Sequence, residues 1–275
     1  MKNFWLTAQT DILESLRAKW FLAYTFIFGG LVALLFVFGL TESRVMGFTG
    51  LSRLMVTYIQ LAMAILPVFV LVTTVRSVAG DREAGIYEYL LSLPIGLAPW
   101  YWGKIGGRFL VVFLPVFLAM VAAIAWGASR GAEIPWTLFV YYTGLLMALA
   151  WCFLGLAMLL STLTRSADVA QASAFVLWLT LLLFLDLILL GVMIRGQLPP
   201  ETAVAIALVN PLQVFRTAAM LLLDQHLVML GPSAYVILDA FGQVGYIAYA
   251  LLYPILLGTL SAWAGFTLFK RSDLP

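Results

Sequence analysis

The sequence predicts an all-α integral membrane protein with six transmembrane helices, and three observations carry that prediction. Hydrophobic residues make up 64% of the 275 and charged residues only 10%, with a mean hydropathy of +1.05, far above the roughly half-apolar usage of soluble domains. Apolar segments at 20–40, 54–78, 100–126, 136–160, 169–194 and 243–269 each reach the about 20 residues that cross a bilayer. An even number of spans puts both termini on one side, and the basic residues choose it. If the ends are cytosolic, ten Lys and Arg fall inside, from Lys2, Arg17 and Lys19 to Lys270 and Arg271. The other five, Arg44, Arg53, Arg130, Arg195 and Arg216, fall outside, as the positive-inside rule requires.

In chain order, residues 3–19 come first. They place Phe4, Trp5, Ala8, Ile12 and Leu16 on one broad helical face and Thr7, Asp11 and Glu14 on the other, the pattern of a helix lying in the membrane interface. Charges at Asp11, Glu14, Arg17 and Lys19 precede a first span without a small-residue cleavage pattern after it, so that span is expected to be retained. Gly29-Gly30 predicts close helix approach, as do Gly103 and Gly106-Gly107 at the start of the third span. Lys104 and Arg108 beside them are interfacial anchors. Ser161 to Asp168 is a tight inner turn and Ser129 to Pro135 a short outer one.

Between spans five and six, 195–242 is neither a span nor a plain loop. Pro199-Pro200 opens it, Ala203 to Val209 is apolar, Asn210-Pro211 interrupts, Val214 to Leu223 resumes helical spacing, and Gly231-Pro232 breaks it again. It reads equally as two or three interfacial or re-entrant helices packed at the outer mouth or as an amphipathic loop on the headgroups. Its length and amphipathic content make it the external docking surface, with Arg216 and Asp224 as candidate partner contacts. Asp186, well inside span five, costs about 2.5–3.5 kcal/mol at membrane depth on insertion scales, so it should face protein or a water-filled path. Met193, seven residues on, shares its face. The pair are candidates for a translocation path, with a hydrogen bond between helices as the alternative for Asp186. The whole of 1–275 reads as one membrane domain.

The segment between spans two and three differs from everything around it. Asp81 is an N-cap candidate, Glu83 sits in the first turn and Pro94 stops the helix, giving a coupling-type helix at about 81–93. Ile86, Tyr89, Leu90 and Leu93 fall on one face, leaving Asp81, Arg82, Glu83 and Glu88 to water or a partner.

Several chemistries are excluded. The chain has no phosphate-cradling Gly-rich loop with its Lys and Ser or Thr, so it supplies no ATPase site. Cys152 is the single cysteine and His226 the single histidine, which rules out an intramolecular disulfide and a multi-histidine metal site. Met147 and Met158 share a helical face, and packing is the commoner use of Met than soft-metal ligation. A net charge of +2 gives no footprint for nucleic acid.

Gly80-Asp81-Arg82-Glu83, Gly85, Glu88, Leu90-Leu91-Ser92, Pro94 and Gly103-Lys104 together resemble the cytosolic coupling loop of the type-2 ABC exporter permeases. The resemblance implies that Asp81, Arg82, Glu83, Gly85, Glu88, Leu91 and Pro94 couple the membrane domain to a separate ATPase. The chain departs from the family pattern at Ile86, where Thr is common, and at Leu97-Ala98, where a Ser-Arg-type pair is common. Gly47-Phe48-Thr49, Leu185-Asp186-Leu187, Asn210-Pro211 followed by Phe215-Arg216, and Phe269-Lys270-Arg271 extend the likeness to one branch, the permeases of the transporter that matures nitrous-oxide reductase. That branch implies a homodimer in the bacterial inner membrane and two copies of a cytosolic ATPase that uses ATP and Mg. It also implies a periplasmic accessory protein and delivery of copper or sulfur for the reductase's copper centres, with no cofactor bound by this chain. A permease of the same family for lipid, drug or polysaccharide stays open from sequence. A secondary transporter fits less well, because it would normally carry inverted repeats and several buried ionisable groups.

Overall fold

The computed structural model describes residues 2–18, 21–30, 50–86, 96–129, 134, 136–184, 200–221 and 232–272. These are helical apart from short turns. The elements are α1 (Lys2–Arg17), α2 (Phe21–Gly30), α3 (Gly50–Thr74), α4 (Arg76–Glu83), α5 (Leu97–Ser129), α6 (Trp136–Leu163), α7 (Ala167–Leu179), α8 (Pro200–Val209), α9 (Pro211–Leu221) and α10 (Pro232–Ser272). Four stretches are long and apolar enough to cross a membrane: Thr57–Glu83, Leu97–Ser129, Trp136–Leu163 and Asp239–Arg271. They coincide with predicted spans two, three, four and six. The described parts of predicted spans one and five are shorter apolar helices, Phe21–Gly30 and Ala167–Leu183.

The hub is α6, which packs along α10 and also meets α3, α5, α4, α7 and α9. Its seam with α10 is made by small residues, the usual device where lipid removes the hydrophobic drive between helices. A Cβ on Gly155 would lie 1.9 Å from the Gly258 carbonyl oxygen, and one on Gly258 would lie 2.6 Å from the Trp151 carbonyl oxygen. The backbones therefore touch, and Trp151 Nε1 donates to Thr259 Oγ1 at 2.9 Å beside them. Buried tyrosines satisfy their hydroxyls on backbone carbonyls, as a low-dielectric interior demands. Tyr58 donates to Val116 at 2.6 Å, Tyr101 to Ala262 at 3.0 Å and Tyr142 to Ala219 at 2.9 Å. Outward, Leu110, Leu114, Leu118 and Val121 of α5, with Leu252, Leu256, Leu260 and Trp263 of α10, are exposed apolar stripes suited to hydrocarbon.

α1 docks on α5 through glycine. Added Cβ atoms on Gly103 and Gly107 would meet the backbone oxygens of Phe4 at 2.8 Å and Ala8 at 2.7 Å, so the predicted close approach at these glycines is present. On α1, Trp5 and Leu16 of the predicted apolar face are 65% and 40% exposed, open to the membrane interface, whereas Asp11, placed on the polar face, is 4% exposed and turned inward. An arginine on α5 is the reason, as described below. At Gly29 and Gly30 an added Cβ would have no neighbour within 4 Å, so they make no close approach among the described residues.

Of the two readings of 195–242, its described part, 200–221 and 232–242, agrees with packed helices. On α9, Leu212, Val214, Phe215, Ala218, Ala219 and Leu221 are all buried. The break between α8 and α9 is set by Asn210, whose Oδ1 accepts from Leu212 N at 3.0 Å. Its Nδ2 donates to the Leu181 carbonyl at 2.6 Å, within the single π-helical turn Thr180–Phe184 that ends the described part of predicted span five. α10 begins at Pro232 and bends at Gly242, which has φ 65°.

Candidate functional site

The site grows from an interruption. α3 ends at Thr74 and α4 begins at Arg76, with Val75 between them and no side-chain cap of α4's own. A helix start leaves its first N–H groups without partners. Here Ser161 of α6 supplies the acceptor, its hydroxyl oxygen receiving Val78 N at 2.9 Å and Ala79 N at 3.0 Å. Thr73, Ser77 and Asp81 follow at intervals of four and so lie on one face. Lys104 and Arg108, also four apart, present matching charges from α5. Arg108 donates to the Thr73 carbonyl at 2.5 Å and Lys104 donates both to the Ser77 carbonyl at 3.0 Å and to the Asp81 carboxylate. The Lys104 ammonium also sits 4.9 Å over the Trp100 ring, and that ring stacks on Phe269 near the end of α10.

Arg108 reaches the other way as well, donating from Nε to Asp11 Oδ1 of α1 at 3.1 Å. Burial raises the Asp11 carboxyl above its ordinary value, against the opposing pull of Arg108 and Lys104. Its second oxygen, Oδ2, is buried without a hydrogen-bond partner among the described residues.

The tip of α4 holds the turn between α6 and α7. Arg82 Nη1 donates to the Thr164 carbonyl at 2.9 Å, just past the C-terminus of α6. Glu83 Oε2 accepts from Ala167 N at 3.1 Å, at the N-terminus of α7. A cation at a helix C-terminus and an anion at a helix N-terminus are the two favourable placements on helix dipoles, each contributing about 0.3–1 kcal/mol at an exposed site. Ser166 completes the start of α7 by accepting from Val169 N at 3.3 Å. Arg76 and Asp168 approach at 3.6 Å with half or more of each side chain exposed, a pair worth little. Gly85 then turns the chain with φ 68°, its N–H returning to the Arg82 carbonyl at 3.1 Å. That left-handed step is one glycine makes freely.

These contacts correct the reading of Asp81 as an N-cap exposed to a partner. The helix already runs from Arg76, so Asp81 lies in its last two turns, facing Lys104. Helical backbone is present again at Ile86, after Gly85. Glu88, Leu91 and Pro94, with the rest of the predicted 81–93 helix, lie outside the described residues. So do Asp186, Met193, Asp224 and His226. Arg216 is on the exposed side of α9, above a small hollow shared with Gln60 and Met63. Met147 is 42% exposed and Met158 fully buried, so their shared face does not form one path. Sequence reasoning did not single out Ser161, Thr164 or the partnership of Asp11 with Arg108. The last had a visible signal, an acid on an otherwise packed amphipathic helix with arginine at the membrane boundary, whereas a hydroxyl acting across 82 residues of sequence has none.

The arrangement ties one charged end to α1, α5, α6, α7 and α10. Among the described residues no group of three or more His, Cys, Asp or Glu is placed to hold a metal ion. Residues 5–274 match the model of the ABC-2 family transporter proteins, and the chain belongs to that family of multi-pass membrane permeases. It is 27% identical over 222 residues to the probable ABC transporter permease protein NosY of Stutzerimonas stutzeri, covering 78% of this chain and 80% of that one. It is 28% identical to the protein of the same name from Pseudomonas aeruginosa, over 78% of this chain and 81% of that one.

Proposed function

We propose that this chain is the membrane subunit, as a homodimer in the bacterial inner membrane with cytosolic termini, of an ATP-driven transporter whose hydrolysis is done by two copies of a cytosolic ATPase. The observation that carries the reading is the pair of contacts from Arg82 and Glu83 to the turn at Thr164–Ala167. Through them a segment adjoining the docking loop holds the base of α6 and α7. A push on residues 85–94 as the ATPases close would tilt these helices together with α3 and α5. The NosY-like character supports a cargo of copper or sulfur moved to the periplasm for nitrous-oxide reductase assembly. On this reading Asp186 and Met193 line the path, and the outer segment holding Arg216 and Asp224 receives the accessory protein.

Co-expression with a soluble ATPase subunit tests the first part. The two should co-purify, and replacing residues 85–94 with a flexible linker should release the ATPase while the permease still inserts. Retention with the linker would remove the docking assignment. For the cargo, a strain lacking this chain should make reductase protein deficient in copper, and a fully copper-loaded reductase would refute that assignment.

A further inference from the structure

At the same charged end, α1, α2, α3, α4, α5 and α7 line a cleft of about 240 Å³. We propose that it binds an anionic phospholipid, with the headgroup phosphate on Arg76 and Arg108 and the upper acyl chain against Phe69, Val111 and Val112.

The polarity of the walls carries the assignment. Along α3 and into the start of α4 the lining residues run Phe69, Val72, Thr73, Arg76 toward the charged end, and along α5 they run Val112, Val111, Arg108 toward the same end. Seven residues of helix span about 10 Å. Within that distance the cleft changes from aromatic and aliphatic to doubly cationic, the profile of a lipid from headgroup to upper chain. Gln171 of α7 and Ser15 of α1 add hydrogen-bonding groups to the lining.

Both arginines have capacity to spare. Arg108 makes two hydrogen bonds, to Asp11 and to the Thr73 carbonyl, out of five N–H donors. Arg76 has 54% of its side chain exposed, and its neighbour Asp168 is 3.6 Å away with 94% exposure, a solvated carboxylate that a phosphate displaces at little cost. Guanidinium binds phosphate oxygens in bidentate fashion. A lipid held there would join six helices at the base of the bundle.

The test uses the full-length chain, purified in neutral detergent and stripped of lipid, with bound lipid counted by native mass spectrometry. Phosphatidylglycerol, phosphatidylcholine and inorganic phosphate are the probes. Retention of phosphatidylglycerol over phosphatidylcholine is the expected result, with Arg76→Gln weakening it about fivefold, the loss of one basic residue near an anionic lipid surface. Val111→Trp, which fills the apolar end and leaves both arginines, should weaken both lipids. Equal retention of the two lipids, or no change with Arg76→Gln, overturns the proposal. Displacement of phosphatidylglycerol by equimolar inorganic phosphate also overturns it, in favour of a free-anion site.

Discussion

Replacing Arg108 with Met removes the partner of a carboxylate that cannot reach water. Asp11 is 4% exposed, its Oδ1 is held by Arg108 at 3.1 Å and its Oδ2 has no partner among the described residues. Breaking a buried pair by removing one member costs about 3–5 kcal/mol. The Arg108 side chain is 20% exposed, which lowers the figure, while the Thr73 carbonyl loses a donor worth about 1 kcal/mol. Protonation of Asp11 sets the ceiling, since neutralising an ordinary aspartate at pH 7 costs about 4 kcal/mol. The raised starting point of Asp11 brings that ceiling down. A loss of about 2–3 kcal/mol in the docking of α1 follows, or roughly 30- to 150-fold faster opening. Hydrogen exchange of α1 amides in the detergent-solubilised chain measures it. The double variant Asp11→Leu with Arg108→Met should exchange more slowly than Arg108→Met alone, because no buried charge is left behind. Exchange in α1 unchanged by Arg108→Met, or a double variant worse than the sum of the singles, would refute the reasoning.

Asp11 also gives α1 a pH dependence. Its folded-state carboxyl is raised above 3.8, so the folded chain binds more protons than the unfolded one between 3.8 and the raised value. Docking therefore weakens as pH rises through that window, is flat above it, and loses the dependence in Asp11→Asn, as limited proteolysis of α1 would report. Gly155→Ala drives a Cβ to 1.9 Å from the Gly258 oxygen and should cost about 1–3 kcal/mol or more as the helices part, read as a lowered thermal midpoint; an unchanged midpoint contradicts the seam. Ser161→Ala removes the hydroxyl oxygen that receives Val78 N and Ala79 N, at about 0.5–1.5 kcal/mol for each hydrogen bond lost, and should speed exchange in α4 while sparing α9. Gly85→Val forces a β-branched residue to φ 68°, about 1–2 kcal/mol of strain, and should loosen the end of α4 without affecting insertion.

What could be read from sequence was what bilayer physics imposes: long apolar runs, and glycines beside Lys104 and Arg108 where α1 lies against α5. The family followed from the charged segment around Asp81. Its local geometry did not, because Asp81, Glu83 and Pro94 satisfy start and stop rules for a separate helix. The chain instead carries α3 onward through Val75, since Ser161, Lys104 and Arg108 meet the backbone groups freed there. Long-range capping of that kind depends on which helices become neighbours. The inward turn of Asp11 likewise depends on Arg108, 97 positions away. For 195–242 the sequence could not choose between surface and interior, because α9 is apolar enough for either. Tyrosine hydroxyls from α6 and α10 reaching its carbonyls fix it in the bundle.

The most direct test of the coupling role is the ATPase rate of the reconstituted permease–ATPase complex carrying Glu83→Lys. The substitution puts a cation where Glu83 now accepts the Ala167 N–H at the start of α7, reversing a favourable dipole contact, and leaves residues 85–94 unaltered. The ATPase should still bind, the permease should still insert, and stimulation of hydrolysis by the permease should be lost. Stimulation and transport at the wild-type level in Glu83→Lys would contradict the coupling role of this site.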